Sequence, residues 1–535
     1  MGAEKGKKTP DDILLELTED IFRFHTPEKL PCAIFEREGH RETHRIESKT
    51  FAYYLCNIYL RETGRAIPQG SLDTVVRQLA AQAIHNGPEI PVFSRVAPCN
   101  SNGIAVDLGN SSWDSVVVTP EGWGMDSPQF PFTRTAAMTA LPFPDQSGKM
   151  EELWDFVNVR SEEARLLLAA WIMCAFFQKM PHPILVLQGQ QGAAKSTTAK
   201  MLLSLVDPSA VPLQSLPSSE RDILIAAQNS WVLAFDNIRR LSPETSDSMC
   251  RLSTGGGLRT RKLYTDCDEI FFNATRPLIF TGIYNICKEQ DLLSRALVIE
   301  LEAISHHQRK TESELMARFE EARPRIFGGI LTALSGVLRE LPQVHLSSAP
   351  RMADFAKIGV ALEQAMGLKH GAFLEAYAAN INQAIGASLD DDPVAKAVMD
   401  LVTEEEEWKG TASRLLKALS RFVSTEAKRS SDWPKAPNRL SNHLRRLAPG
   451  LAAAGIDVSF DQNIGGEKRV IGIAPKIGEE MEQEQPPVPA AEVRIEPGAS
   501  GENLENTDTS EPTAETTDDC LPKIAKKFSL EDFKL

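Results

Sequence analysis

The sequence predicts a multidomain α/β protein whose centre is a mostly parallel sheet wrapped by helices and carrying a phosphate-binding loop (P-loop). Three observations lead there. At 535 residues the chain exceeds what one hydrophobic core usually supports, so two to four domains are expected. Three apolar runs, Ile184–Leu187, Trp231–Phe235 and Leu278–Thr281, lack polar alternation, as strands buried on both faces do. Segments of helical periodicity separate them, and the first run leads into the Gly-containing segment Gly189–Ser196. Strands alternating with helices build a parallel sheet.

Residues 1–150 read as a small α+β accessory domain. It has helices at Asp11–Phe24 and Lys49–Thr63, strands at Ile104–Leu108 and Ser115–Thr119, and a Pro/Gly/Thr-rich linker at Gly122–Gly148. Residues 151–335 form the central α/β body and 336–388 a helical connector. Residues 389–476 have the order of a winged helix. Helices are expected at Pro393–Val402, Ala412–Phe422 and Arg439–Ala454, then strands at Asp457–Asp461 and Arg469–Ile473. Residues 477–535 are rich in Pro, Glu, Thr and Ser and are expected to be a disordered acidic tail, with an apolar terminal motif around Phe528, Leu530 and Phe533.

Charge and composition bound the function. The formal charge is −15, but fifteen acids against five bases fall in 477–535, which leaves about −5 for the rest. Local basic patches therefore matter more than the sum. The eight cysteines show no CxxC pair, which argues against zinc ribbons and disulfide frameworks. The N-terminus lacks the apolar stretch of a signal peptide. The longest apolar run, Leu166–Phe177, is shorter than the roughly twenty residues of a membrane span. A cytoplasmic protein without membrane contact is expected.

The segment Gly189-Gln190-Gln191-Gly192-Ala193-Ala194-Lys195-Ser196 lies between a buried strand and the helix Thr197–Val206. Phosphate binding needs that context, with backbone N–H groups and the helix N-terminus facing the anion. Lys195 would reach the β/γ oxygens of ATP, and Ser196 would hold Mg²⁺. Ala194 stands where the pattern G-x-x-x-x-G-K-[ST] has its second Gly, a single methyl that is tolerated if the residue keeps an ordinary backbone conformation. Asp236 ends the second strand and is the candidate second Mg²⁺ ligand. Asn237 follows, where many such ATPases place Glu, so either turnover is slow or a base such as Glu220 acts instead. Thr281, at the end of the third strand, is a candidate γ-phosphate sensor or an ordinary strand-end hydroxyl. Arg295 is a candidate for stabilising transition-state charge in a neighbouring subunit, or a salt-bridge partner of Asp291 or Glu300.

With these elements in order, the chain resembles superfamily 3 helicases of the AAA+ class. It more closely resembles the helicase-like ATPases of phages, plasmids and integrated elements that share a primase/helicase-type C-terminal region. Gly189–Thr197, Ala234–Asn237, Cys250–Asp266, Arg276–Gly282 and Asp291–Leu297 carry the resemblance, supported by Pro350–Ala356 and by Trp433 through Arg446. It implies a homo-oligomeric, hexameric ring with ATP sites between subunits. It also implies a channel hairpin of Thr260–Tyr264 and Glu269–Ala274. That hairpin's tip, Asp266-Cys267-Asp268, is acidic, and only Arg259, Arg261 and Lys262 near its base are basic. A second basic group comprises Lys435, Arg439, His443, Arg445 and Arg446 on the third helix, with Lys468 and Arg469 in the wing. It suits DNA contact, or alternatively a solvated face packed on the ring. The implied activity is an ATP-dependent, helicase-like motor on single-stranded or forked DNA, serving replication of a mobile element. A primase or initiator is a possible partner. The alternative is a slowly hydrolysing, ATP-switched DNA-binding adaptor or helicase loader.

Overall fold

The computed structural model describes residues 8–476 except 100–101, 127–129, 262–268, 273–274, 284–285, 287–288, 306, 308–310, 431 and 463–468. Helix α1 (Pro10–Leu17) starts at a capping box in which Thr9 and Asp12 satisfy each other's backbone N–H groups. Strands β1 (Phe22–His25), β2 (Pro31–Arg37) and β3 (His40–Arg45) form an antiparallel sheet under α2 (Lys49–Thr63) and α3 (Gln69–Asn86). Leu14, Phe35, Phe51, Leu55, Val75 and Leu79 fill the space between.

A second antiparallel meander follows: β4 (Val96–Cys99), β5 (Gly103–Asp107), β6 (Ser115–Thr119) and β7 (Gly122–Asp126). The segment expected as linker thus begins with a strand. Gly122 and Gly124 read locally as a turn, but pairing of 122–126 with β6 overrides that preference. Val96, Val106 and Val118 of this meander share one continuous core with Leu168, Trp171 and Ile330. Fully buried Arg95 fixes the junction. Its Nε donates to Asp207 Oδ1 (2.9 Å), and its other nitrogens donate to the carbonyls of Asp107 and Thr139.

The central body contains α4 (Glu162–Cys174), β8 (Ile184–Gln188), α5 (Lys195–Val206), α6 (Glu220–Asn229), β9 (Leu233–Phe235) and α7 (Pro243–Thr254). A hairpin of β10 (Leu258–Arg261) and β11 (Glu269–Phe272) follows, then β12 (Leu278–Gly282), α8 (Gln290–Leu293) and β13 (Ala296–Glu300). The sheet is parallel, in the order β13-β8-β12-β9, and its strands are buried as their apolar runs require. Outside β9, Gln214 adds a parallel bridge: its N–H donates to Ala234 O, and Asp236 N–H donates to Gln214 O (2.9 Å). Strand β9 begins two residues later than expected because the N–H groups of Trp231 and Val232 donate to Asp207 Oδ2.

Helix α9 (Glu312–Glu340) packs against the 145–150 segment. A Cβ on Gly328 would lie 1.8 Å from Asp145 O, so only glycine permits that approach. Helices α10 (Ala353–Ala365) and α11 (Ala372–Asp391) lead to the C-terminal unit. There, α12 (Pro393–Glu405), β14 (Trp408–Thr411), α13 (Ala412–Leu419), α14 (Thr425–Arg429) and α15 (Pro437–Ala453) precede β15 (Ile456–Gln462) and β16 (Arg469–Pro475). Strand β14 was not expected. It pairs with β16 and makes a three-stranded sheet, β14-β16-β15, over a separate core of Val398, Leu415, Leu444 and Ile471.

Candidate nucleotide site

The loop after β8 is built around one close approach and one strained residue. Gly189 has φ 151°, and a Cβ there would sit 2.2 Å from Leu301 O. Its N–H donates to Ile283 O (3.0 Å), tying the loop's entry to the end of β12. Gly192 has φ 85° and Ala194 φ 63°, ψ 28°. The expectation of ordinary backbone at Ala194 is therefore corrected. This alanine occupies the left-handed region, at a cost of about 1–2 kcal/mol relative to a right-handed residue. Helix α5 begins at the next residue, so its unpaired N–H groups face the space above the loop. Asn158 braces the loop from below, its Nδ2 donating to Ala193 O (3.3 Å) and Glu302 O (2.6 Å). No sequence signal marks Asn158, because its partners are main-chain carbonyls distant in sequence.

Lys195 folds back over the loop, donating from Nζ to the carbonyls of Gly189 and Gln190, each at 2.8 Å. Desolvation lowers its pKa and nearby Asp236 partly offsets that. Ser196 Oγ donates to Asp236 Oδ1 (2.8 Å), and Thr281 Oγ1 donates to the same oxygen. Buried Thr281 also accepts the N–H of Asn237 (3.0 Å), while its carbonyl accepts that of Ile238 (2.8 Å). Lys195, Ser196, Asp236 and Thr281, read from three separate motifs, thus converge at the C-terminal ends of three adjacent strands. Gln190, Gln191, Gly192 and Thr197 lie on the exposed or half-exposed rim of the same loop.

One carboxylate and two hydroxyls meeting at one point form an all-oxygen donor set. It suits Mg²⁺, which takes few protein ligands and completes its shell with water and phosphate oxygens. Among the described residues no cluster of three or more His, Cys, Asp or Glu could hold a metal.

Asn237 has φ 55°, and its backbone is held by Thr281. Glu220 is engaged elsewhere, in an ion pair with Arg251 (2.7 Å). Arg295 is not brought to its own chain's loop. Its carbonyl accepts the N–H of Ile184, at the opposite end of β8, and its guanidinium pairs with Asp291. Four residues of strand put it about 13 Å or more from the loop. Burial raises the Asp291 carboxyl, but Arg295 and Arg351 more than reverse this and hold it below the usual carboxylate range.

Residues 150–388 match the family model for the actinomycete integrative conjugative element replication protein, and residues 394–487 match the AICE RepA C-terminal domain. Together the two matches take in well over half of the chain. The chain belongs to this family of replication proteins. No curated protein matches it in sequence. Among solved structures, the apo C-terminal region of NrS-1 (305–718) aligns at TM-score 0.37 and 12% identity, covering 87% of this chain and 99% of that one. A JCV helicase with a bound acetamide compound aligns at TM-score 0.21 and 14% identity, covering 44% of this chain and 70% of that one. Likeness at these scores carries no functional argument.

In this replication protein the expected basic residues of the C-terminal unit separate into two groups. Arg439 and Arg446 are exposed on α15, one face apart by two turns. His443 is half-buried, and Arg445 and Lys435, though exposed, have partners within the chain. His443 Nε2 lies 2.7 Å from Asp392 Oδ2 and ties α15 to the start of α12. Arg445 lies over the Phe460 ring (4.1 Å), and Lys435 donates to Lys428 O. Arg259 and Arg261 lie on β10, and Arg469 opens β16 opposite Gln462. Lys262, Lys468 and the acidic hairpin tip 266–268 fall outside the described residues. Among the described residues no helix is long and apolar enough to cross a membrane.

Proposed function

We propose that this replication protein has a P-loop ATPase core of AAA+ type and acts as an ATP-dependent, helicase-like motor on single-stranded or forked DNA. The observation that carries this reading is the Ser196–Asp236 hydrogen bond beside a loop led by Lys195, since the parts of an Mg²⁺–triphosphate site come from distant segments. Loop N–H groups and Lys195 would hold the β- and γ-phosphates, and Ser196 and Asp236 the Mg²⁺. Bound Mg²⁺ would neutralise charge developing on the transferred phosphoryl group. Thr281, hydrogen-bonded to Asp236, would sense the γ-phosphate. Arg295, remote from its own loop, would act on a neighbour's site in a cytoplasmic ring assembly, with a winged-helix C-terminal unit presenting Arg439 and Arg446 to DNA.

The adaptor reading keeps a specific observation in its favour. Asn237 supplies no carboxylate, and Glu220 is paired with Arg251, so among the described residues neither candidate offers a free general base to the site. Strand displacement on a forked duplex separates the two readings. The motor displaces the strand with ATP and loses this activity in Asp236→Ala. ATP-dependent DNA binding without displacement by the wild-type protein would replace it with the adaptor.

A further inference from the structure

Beside Asp236 a cleft of about 540 Å³ opens between the end of β9 and the Gln214 edge. Its lining includes Gln214, Ser215, Asp236, Asn237, Arg239 and Arg240. Arg239 and Arg240 are both exposed, and among the described residues neither has an ion-pair partner. Two adjacent unpaired guanidiniums in a predominantly acidic chain are a notable departure from its average.

Asp236 joins the loop and the cleft: its Oδ1 accepts from Ser196 on the loop at 2.8 Å, and the same residue lines the cleft, with Arg239 and Arg240 three and four residues further along the chain. We propose that Arg239 and Arg240 seat a phosphodiester of single-stranded nucleic acid, a contact that rests on the ATPase reading of the neighbouring site. Guanidinium forks match phosphate oxygens in a bidentate manner. Gln214, Ser215 and Asn237 add uncharged polar groups suited to phosphate and sugar, and the lining has no aromatic anchor of the kind that centres a protein–protein interface.

The position also gives the contact a consequence. Ile238, between the arginines and Asp236, is buried and hydrogen-bonded to the carbonyl of Thr281, whose hydroxyl holds Asp236. Strand bound at 239–240 thus pulls on the segment that sets the Ser196–Asp236–Thr281 geometry. DNA occupancy is transmitted to the nucleotide site through four residues of chain.

The test measures binding of a fluorescent oligothymidylate by the full chain across a salt series, without nucleotide. Arg239→Ala/Arg240→Ala is compared with Arg61→Ala/Arg65→Ala, which removes two exposed charges from the end of α2. Each single-strand phosphate contact contributes about 0.7 to the slope of log K against log salt. The expected result is a slope smaller by about 1.4 in the cleft variant and unchanged in the control. Arg239→Lys/Arg240→Lys should restore most of it, which separates charge from misfolding. Equal slopes in wild type and cleft variant overturn the inference while leaving the ATPase reading standing. Unchanged DNA binding with a lower sedimentation coefficient assigns the pair to a subunit contact and overturns it equally. Wild type that binds no oligothymidylate removes both the inference and the motor reading.

Discussion

Replacing Ala194 with glycine should strengthen the protein, against the usual direction of a glycine substitution. At φ 63° and ψ 28° the alanine Cβ crowds the following carbonyl, at a cost of about 1–2 kcal/mol. Glycine removes that cost but gives the unfolded chain extra freedom worth roughly 0.5–1 kcal/mol. Ala194→Gly should therefore gain about 0–1.5 kcal/mol, and Ala194→Val, with a β-branched side chain in the same conformation, should lose more than about 1 kcal/mol. The central body is a unit of 150–250 residues, for which 1 kcal/mol moves the melting midpoint by about 2–4 °C. Thermal unfolding followed by tryptophan fluorescence reports this directly, because Trp171 and Trp231 are buried in that body. A glycine variant that melts lower than wild type, or a valine variant that melts with it, would refute the left-handed assignment and the strain argued from it.

Further outcomes follow from other parts of the site and its support. Asp207→Asn leaves Arg95 charged and buried without its carboxylate, which should cost about 3–5 kcal/mol in denaturant unfolding. Asn158→Ala removes both braces beneath the loop, at about 1 kcal/mol each, and should weaken ATP binding by roughly tenfold or more in a calorimetric titration. His182 is held neutral, its pKa depressed to about 3 by burial and by Arg276, from an ordinary value of 6.5. The unfolded chain therefore takes up a proton that the native chain refuses as pH falls between 6.5 and 3. Stability should drop across that window, and His182→Gln should flatten the drop.

The sequence was most legible where one local signal sufficed. The buried strands carry unbroken apolar runs, and the loop's residue pattern marks Gly189–Ser196. Lys195 and Ser196 follow from the loop motif and Asp236 and Thr281 from two strand ends, and the parallel register brings them together. What escaped depends on distant pairing. Strand β14 is four residues made a strand by β16, and Gln214 becomes a sheet edge only because β9 lies beside it. The conformation of Ala194 also escaped, because an alanine gives no hint of a left-handed backbone. His443 sits in a basic run of the sequence, and its partner Asp392, fifty-one residues away, leaves no local signal of the contact. The Arg239–Arg240 pair was present in the sequence, but only the cleft beside Asp236 gives it a role.

The measurement that bears most directly on the account is steady-state ATP hydrolysis by the full chain, with and without single-stranded DNA, in wild type and Lys195→Ala. The account predicts turnover that rises with DNA and vanishes in the variant, whose loop has lost the ammonium that now rests on Gly189 and Gln190. Wild-type protein that binds ATP yet hydrolyses it negligibly under both conditions would contradict the motor. Hydrolysis that survives in Lys195→Ala would place the chemistry outside this loop altogether.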